Sequence, residues 1–348
     1  MLESTFCLCK STKMTTDPFS DILKLTQARS LVTGGFTAGG PWAVRFPAPD
    51  KIKFFAVVKG KCWVRLEGEP EPVRFETGDV GLLSAPRWSI LSSDLETEPI
   101  EAMDIFSRAG RSTTQLANGN EFVHVGGHVL LDPVSGPLLL DVLPPWIHIK
   151  AASPQAAVFS WLLDRLVEER AAGQPGSQLA SAQLSQLLFI EILRAHVASS
   201  GPMNAGWLRA LSDARIAPAL RLMHESPARS WHLEDLAQAC AMSRTTFASH
   251  FKAVAGVAPL TYLTNWRMRL AERALGDDAT PVSVVAQTLG YASESAFSHA
   301  FKRITGRSPK AYRTALRLAG RPTTGRDLPS TSGGAIDLTP AVETLQQD

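Results

Sequence analysis

Cysteine is scarce: there are four in a chain of 348 residues. That is too few to staple a fold of this length, which excludes the disulfide-dense secreted scaffolds. Long hydrophobic runs are missing too. No stretch approaches the roughly 18 apolar residues of a membrane-crossing helix. The opening MLESTFCLCKSTKM lacks the basic n-region and apolar h-region of a secretion signal. Nor does one charge dominate, since 35 Lys and Arg face 33 Asp and Glu for a net charge of +2. With 45% hydrophobic residues the composition is that of globular protein and not of a disordered chain. No nucleophile elbow, Walker loop or dinucleotide fingerprint appears. These absences point to a reducing, cytoplasmic location and give no membrane partner. The length allows two domains, each with its own core.

The small net charge conceals an asymmetry. Between Trp207 and Arg317 there are 15 Lys and Arg against 8 Asp and Glu, an excess of seven, so the remainder carries −5. A basic lobe joined to a mildly acidic one fits a protein of which only one part meets a polyanion.

Texture along the chain gives an α+β multidomain organisation. Residues 1–16 read as a disordered leader, with Met14 as an alternative start. Residues 17–150 carry short apolar runs, namely Trp42 to Phe46, Ile52 to Val58, Cys62 to Leu66 and Asp79 to Leu83. Turn signals such as Lys-Gly-Lys and Thr-Gly-Asp separate them. Many short strands at that spacing suggest an antiparallel sandwich, barrel or jelly roll. Gly34-Gly35 and Gly39-Gly40 read as turns. Residues 151–200 read as a helical hairpin broken at Gly173-Gln-Pro-Gly176. Self-association as a homodimer and simple capping of the β-domain are both open for it. The segment from Ser199 to Pro202 reads as a linker, and 320–348 as a disordered tail.

The basic lobe, residues 207–318, contains a duplication. Phe247, Phe251, Lys252, Gly256, Pro259 and Tyr262 recur as Phe297, Phe301, Lys302, Gly306, Pro309 and Tyr312 at a constant offset of 50. Each copy has the grammar of a helix-turn-helix. A small residue (Ala237, Ala286) marks close helix approach, and a serine (Ser243, Ser293) is placed to cap the second helix. His232, at the start of the first copy, is a poor cap. Thr280-Pro281, at the start of the second, is a good one. At about 100° per residue, each phenylalanine pair marks a buried stripe. Thr245, Ser249 and Lys252, flanked by Ala248, then point away from it. So do Ser295, His299 and Lys302, flanked by Ser298. Small polar, imidazole and cationic groups of this kind can lie against base edges and phosphates.

These residues, and above all Gly290-Tyr-Ala-Ser-Glu-Ser-Ala-Phe-Ser-His-Ala-Phe-Lys-Arg-Ile-Thr-Gly-Arg-Ser-Pro-Lys-Ala-Tyr-Arg313, resemble the DNA-binding domain of AraC/XylS-type bacterial transcription regulators. The resemblance implies two helix-turn-helix units joined by a long helix from Pro259 to Leu275. Both recognition helices would enter the major groove of one duplex about one turn apart. Carried over, Thr245, Ala248, Ser249, Ser295, Ser298 and His299 read bases, while Arg244, Lys252, Lys302 and Arg303 meet phosphates. Promoter or operator DNA is the implied partner, with a contact to RNA polymerase. Activation and repression both stay open.

Residues 17–150 resemble the cupin-type N-terminal domain of one branch of these regulators. The resemblance rests on Asp17-Pro-Phe-Ser-Asp-Ile-Leu, Gly40-Pro-Trp-Ala-Val-Arg-Phe-Pro-Ala-Pro, Gly60-Lys-Cys-Trp and Gly78-Asp-Val. It implies a jelly roll that senses a small-molecule effector; the alternative is a metal-dependent cupin enzyme fused to a basic DNA-binding module. A metal-binding cupin needs a closely spaced histidine pair, a carboxylate and a later histidine. Here Phe54-Phe55 and Arg87-Trp88 stand near those places, and His124, His128 and His148 lack the spacing. No metal, cofactor or catalytic residue is expected. Cys62 reads as a buried hydrophobe, and Cys7 and Cys9 are a weak metal signal. Phe54, Trp63, Trp88 and Phe106 either line an apolar effector pocket or fill a dry core.

Overall fold

The structure is a computed structural model that describes residues 17–106, 114–116, 119–199, 206–277 and 279–319. The expectations for 1–16, 320–348, Cys7, Cys9, Met14 and most of the 199–202 linker lie outside the described residues. Contacts divide the chain into two units.

The β-rich unit holds β1 (Arg29–Ala38), β2 (Ala43–Phe46), β3 (Ile52–Lys59), β4 (Lys61–Leu66), β5 (Val73–Glu76), β6 (Val80–Leu83), β7 (Ser89–Ser92), β8 (Ile100–Glu101), β9 (Thr114–Leu116), β10 (Phe122–Leu130) and β11 (Trp146–Ile149). One sheet runs β11-β6-β3-β10-β1-β9 and the other β5-β4-β7-β2-β8. Most pairs are antiparallel, giving the jelly-roll type of sandwich that the strand spacing suggests. Alternation sets the faces. Cys62, Val64 and Leu66 of β4 are buried, while Trp63 and Arg65 between them are only half-buried. The core gathers Phe36, Trp42, Phe55, Phe75 and Phe122 with Val44, Val57 and Leu91. Each such side chain stabilises the sandwich by about 1.5–3 kcal/mol when fully buried.

Gly34 and Gly35 do not form a turn; they lie inside β1, where the register with β10 shifts between Val32 and Gly34. A Cβ on Gly35 would lie 2.2 Å from the His124 carbonyl oxygen, so the glycine permits strand contact and not chain reversal. Gly40, with φ +64°, does turn the chain.

This unit also contains α2 (Ala102–Phe106), α3 (Pro137–Leu140), α4 (Ala156–Ala172) and α5 (Ser177–Ala198). Gly173 and Gly176, both left-handed, separate α4 from α5. Leu166 and Val167 pack on Val125, and the Gln186 side-chain oxygen accepts the Ser30 N–H at 2.9 Å. The hairpin therefore caps a sheet, while Val158, Trp161 and Leu179 remain exposed.

The helical unit holds α6 (Trp207–Ser212), α7 (Ala217–Glu225), α8 (Leu233–Ala239), α9 (Arg244–Ala255), α10 (Pro259–Leu275), α11 (Val282–Thr288), α12 (Glu294–Thr305) and α13 (Pro309–Ala319). It also includes α1 (Pro18–Leu25), which reading along the chain assigns to the β-domain. Ile22, Leu23 and Leu25 are buried on this helix, which packs with α6, α7 and α10. The long helix from Pro259 to Leu275 has the bounds expected of it.

Candidate nucleic-acid interface

Both helix-turn-helix motifs are built by the same local chemistry. Ala237 and Ala286 are 2% and 1% exposed, which lets α8 and α11 approach their partners closely. The Ser243 hydroxyl accepts the Thr246 N–H at 3.2 Å, and the Ser293 hydroxyl accepts the Ala296 N–H at 3.1 Å. Each bond satisfies one of the unpaired donors at a helix start. At α8 the His232 N–H donates to the Asp235 carboxylate at 3.1 Å, so a carboxylate in the first turn compensates for the poor cap. At α11 the cap is Pro281 and not Thr280. Thr280 Oγ1 bonds instead to Asp277 at 2.7 Å.

Phe247, Phe251, Phe297 and Phe301 are all fully buried. Edge contacts to Tyr262 and Tyr312 repeat at 5.7 and 5.4 Å. Along α9 and α12 the succession of exposed, half-buried and buried positions is identical from Ser243 to Ala253 and from Ser293 to Arg303. Arg244, Thr245, Ser249, Lys252, Ser295, His299, Lys302 and Arg303 are exposed, and Ala248 and Ser298 are half-buried on the flank. The fold thus leaves the expected reading positions accessible on both helices.

Two groups on the first motif escape sequence reading. Arg244 is paired with Glu234 of α8, and this hydrogen bond holds the Glu234 carboxyl below its usual pKa. His250 Nε2 lies 2.7 Å from Asp213 Oδ2, while its counterpart in the second copy is Ala300, so it serves the first motif's own structure. A charge ten residues away and an unmatched residue in the repeat were the available signals.

In the sandwich, the four residues named for an effector pocket do not come together. Phe55 faces the interior beside Phe75 at 5.1 Å. Its neighbour Phe54 takes the opposite side of the strand and packs on Gly127. Trp63 carries Arg74 over its ring at 5.9 Å, and Trp88 carries Arg45 at 5.3 Å; neither is part of the interior cluster. Phe106 alone joins that cluster, 6.4 Å from Phe36 and 6.2 Å from Phe46. Residues next to one another on a strand face opposite ways, which is why the set splits.

His124 was the missed interior residue. It is 6% exposed and stacks on Phe36 at 4.7 Å. Burial pushes its pKa down to about 3, so its ring is neutral. Its Nδ1 has no hydrogen-bond partner among the described residues. His148 bonds the Asp79 carboxylate at 2.8 Å. Burial alone would raise the Asp79 pKa, yet hydrogen bonds from His148 and the Ala151 and Glu76 N–H groups hold it below its usual value. Burial and the charge of Lys53 lower the His128 pKa. Burial pushes the Cys62 thiol up to about 12, leaving it an inert core group. No group of three or more metal-ligating side chains occurs among the described residues. No described helix is long and apolar enough to cross a membrane.

A family model described as Cupin matches residues 17–198, and one described as Helix-turn-helix domain matches 236–315. A putative AraC-like transcription regulator of Streptomyces antibioticus is 39% identical over 297 residues, covering 85% of this chain and 98% of the relative. The chain belongs to the AraC-like transcription regulators. A second family member, the HTH-type transcriptional regulator AlkR of Acinetobacter baylyi, is 32% identical over 79% of this chain and 91% of its own length. Among solved structures, the DNA-binding domain of AdpA in complex with a target DNA is 32% identical over 31% of this chain and 97% of that one, with a TM-score of 0.29. As an AraC-like regulator the protein is a DNA-binding helix-turn-helix protein with an N-terminal cupin domain, and its relatives are named as regulators, not enzymes.

Proposed function

We propose that this regulator recognises a bipartite promoter or operator sequence with α9 and α12 and is controlled by a small-molecule effector held in the β-sandwich. The observation that carries the reading is the matched exposure of the two recognition helices, each burying two phenylalanines and presenting small polar and cationic groups. Thr245, Ala248, Ser249, Ser295, Ser298 and His299 read bases, while Arg244, Lys252, Lys302 and Arg303 bind phosphate. Arg244 exchanges Glu234 for phosphate on binding; both partners of that ion pair are exposed and screened by solvent, so the pair resists little.

For the effector, Phe46 and His124 join Phe106, the one residue of the set named from sequence that packs on the interior cluster. Half-buried aromatic rings beside a buried neutral imidazole suit an apolar molecule with one hydrogen-bonding group. Such a ligand shifts the regulator between states only by binding them unequally. Exposed Val158, Trp161 and Leu179 are the surface for a homodimer. RNA polymerase contact in the cytoplasm completes the reading.

The test is selection of duplexes from a random pool, followed by competition at fixed salt against random DNA. A specific regulator prefers its selected duplex by about a thousandfold or more. Equal competition by random duplex would leave only non-specific binding.

A further inference from the structure

We propose that Arg267 fixes the relative placement of the two helix-turn-helix motifs and thereby sets the half-site separation that the protein accepts. The inference rests on the reading above, in which α9 and α12 engage one duplex.

The helix α10 joins the motifs and packs against α9 of the first and α11 and α12 of the second. A polar tie that bridges the two motifs directly adds to that packing in holding them at one angle. Arg267, in the middle of α10, supplies it. Its Nε donates to the Pro227 carbonyl at 2.6 Å and its Nη2 to the Arg229 carbonyl at 2.8 Å. Both carbonyls belong to the loop that leads into α8 of the first motif. The same guanidinium lies 5.8 Å from the ring centroid of Tyr291, in the turn of the second motif. Tyr291 in turn meets the recognition-helix residue Phe297 edge-on at 5.5 Å. One planar cation thus touches the lead-in loop of one motif and the turn of the other.

Gly290 marks how close that approach is. A Cβ there would lie 2.0 Å from the Ala228 carbonyl oxygen, between the two residues that Arg267 grips. Gly290 has φ +80°, but the equivalent turn residue of the first motif is Ala241 at φ +53°. The turn itself therefore accepts a side chain; the close backbone approach does not. Lysine cannot reproduce the grip, since the two carbonyls are bridged by a rigid fork and not by a point charge.

The test uses the full chain and a duplex selected by the wild-type protein, with derivatives carrying one or two inserted base pairs between the halves. Each insertion rotates one half-site by about 34° relative to the other. Wild-type affinity is expected to fall about tenfold or more on insertion, the loss of one helix's base contacts. Arg267→Ala binds the original duplex more weakly, and its penalty for insertion shrinks to about threefold or less. Arg267→Lys lies between, and it carries the test alone if the alanine variant does not fold. Gly290→Ala, which must displace Ala228, flattens the profile as well. An insertion penalty in the folded Arg267 variants equal to that of wild type overturns the assignment, because a merely structural residue lowers affinity uniformly. Indifference of the wild type to insertion overturns the two-helix reading itself, and this assignment with it.

Discussion

Asp21 and His224 are 203 residues apart in the chain and 3.3 Å apart in the fold, carboxylate Oδ2 to imidazole Nδ1. The other ring nitrogen meets the Tyr262 hydroxyl at 2.9 Å, and the ring stacks on Trp266 at 4.1 Å. Burial raises the Tyr262 pKa, so its hydroxyl keeps its proton. The ring nitrogen Nδ1 faces the Asp21 carboxylate while Nε2 faces the Tyr262 hydroxyl, so each nitrogen has one partner. This chain ties α1 to the helices that carry the DNA-binding motifs. Asp21→Ala leaves a buried donor unpaired and is expected to cost about 1–3 kcal/mol. Ile22→Ala, at a position 1% exposed, should cost about 2–5 kcal/mol. Thermal melting of the full chain, followed through the helical signal, reads both. An unchanged melt for Ile22→Ala would remove α1 from that core.

Ala241 holds a left-handed conformation, φ +53°, that a side chain adopts only at a cost. Ala241→Gly relieves that cost and is expected to stabilise the helical unit by about 1 kcal/mol. For a unit of this size the melting temperature then rises by about 4 °C. A fall in melting temperature would mean that the turn is not left-handed at this residue.

The helical half was legible because its determinants are local. Phe247 and Phe251 lie one turn apart, as do Phe297 and Phe301, and the capping serines precede each helix by one residue. Pro259 and Leu275 bound α10 for the same reason. The interior of the sandwich was legible only in part. Phe54 and Phe55 are adjacent, so one of them must face inward, but the register of β3 against β6 and β10 decides which. Trp63 was decidable, since Cys62, Val64 and Leu66 already claim the inner face. The docking of α1 was beyond reach, because Asp21 and His224 carry no pattern that links them across the chain.

His124 gives the sandwich a pH dependence of definite sign. Its folded pKa, about 3, lies below the ordinary 6.5 of the unfolded chain, so the unfolded state takes up the proton first. Stability contributed by the neutral ring is complete above pH 6.5 and declines as pH falls toward 3, by at most about 1.4 kcal/mol per pH unit. Acid denaturation of the wild type should therefore be steeper across that window than that of His124→Phe, which keeps an aromatic ring beside Phe36. Parallel pH profiles would mean that the imidazole is protonated or solvated in the folded protein.

His299 and Lys302 lie one turn apart on α12, both exposed, and they are assigned different roles. An imidazole at a base edge discriminates between sequences, and a good base contact is worth about 1–3 kcal/mol. A lysine on a phosphate adds affinity to every duplex and releases counterions, which shows as salt dependence. His299→Ala should then bind its selected duplex less tightly while keeping its affinity for random DNA, so that selection from a random pool returns a looser motif at the positions α12 reads. Lys302→Ala should weaken all duplexes alike and lower the slope of log affinity against log salt by about 0.9. The two signatures are independent, because specificity is a ratio in which a uniform loss cancels. If His299→Ala lowers affinity for selected and random duplex by one common factor, the imidazole does not read a base, and sequence preference must come from the serines beside it or from DNA shape.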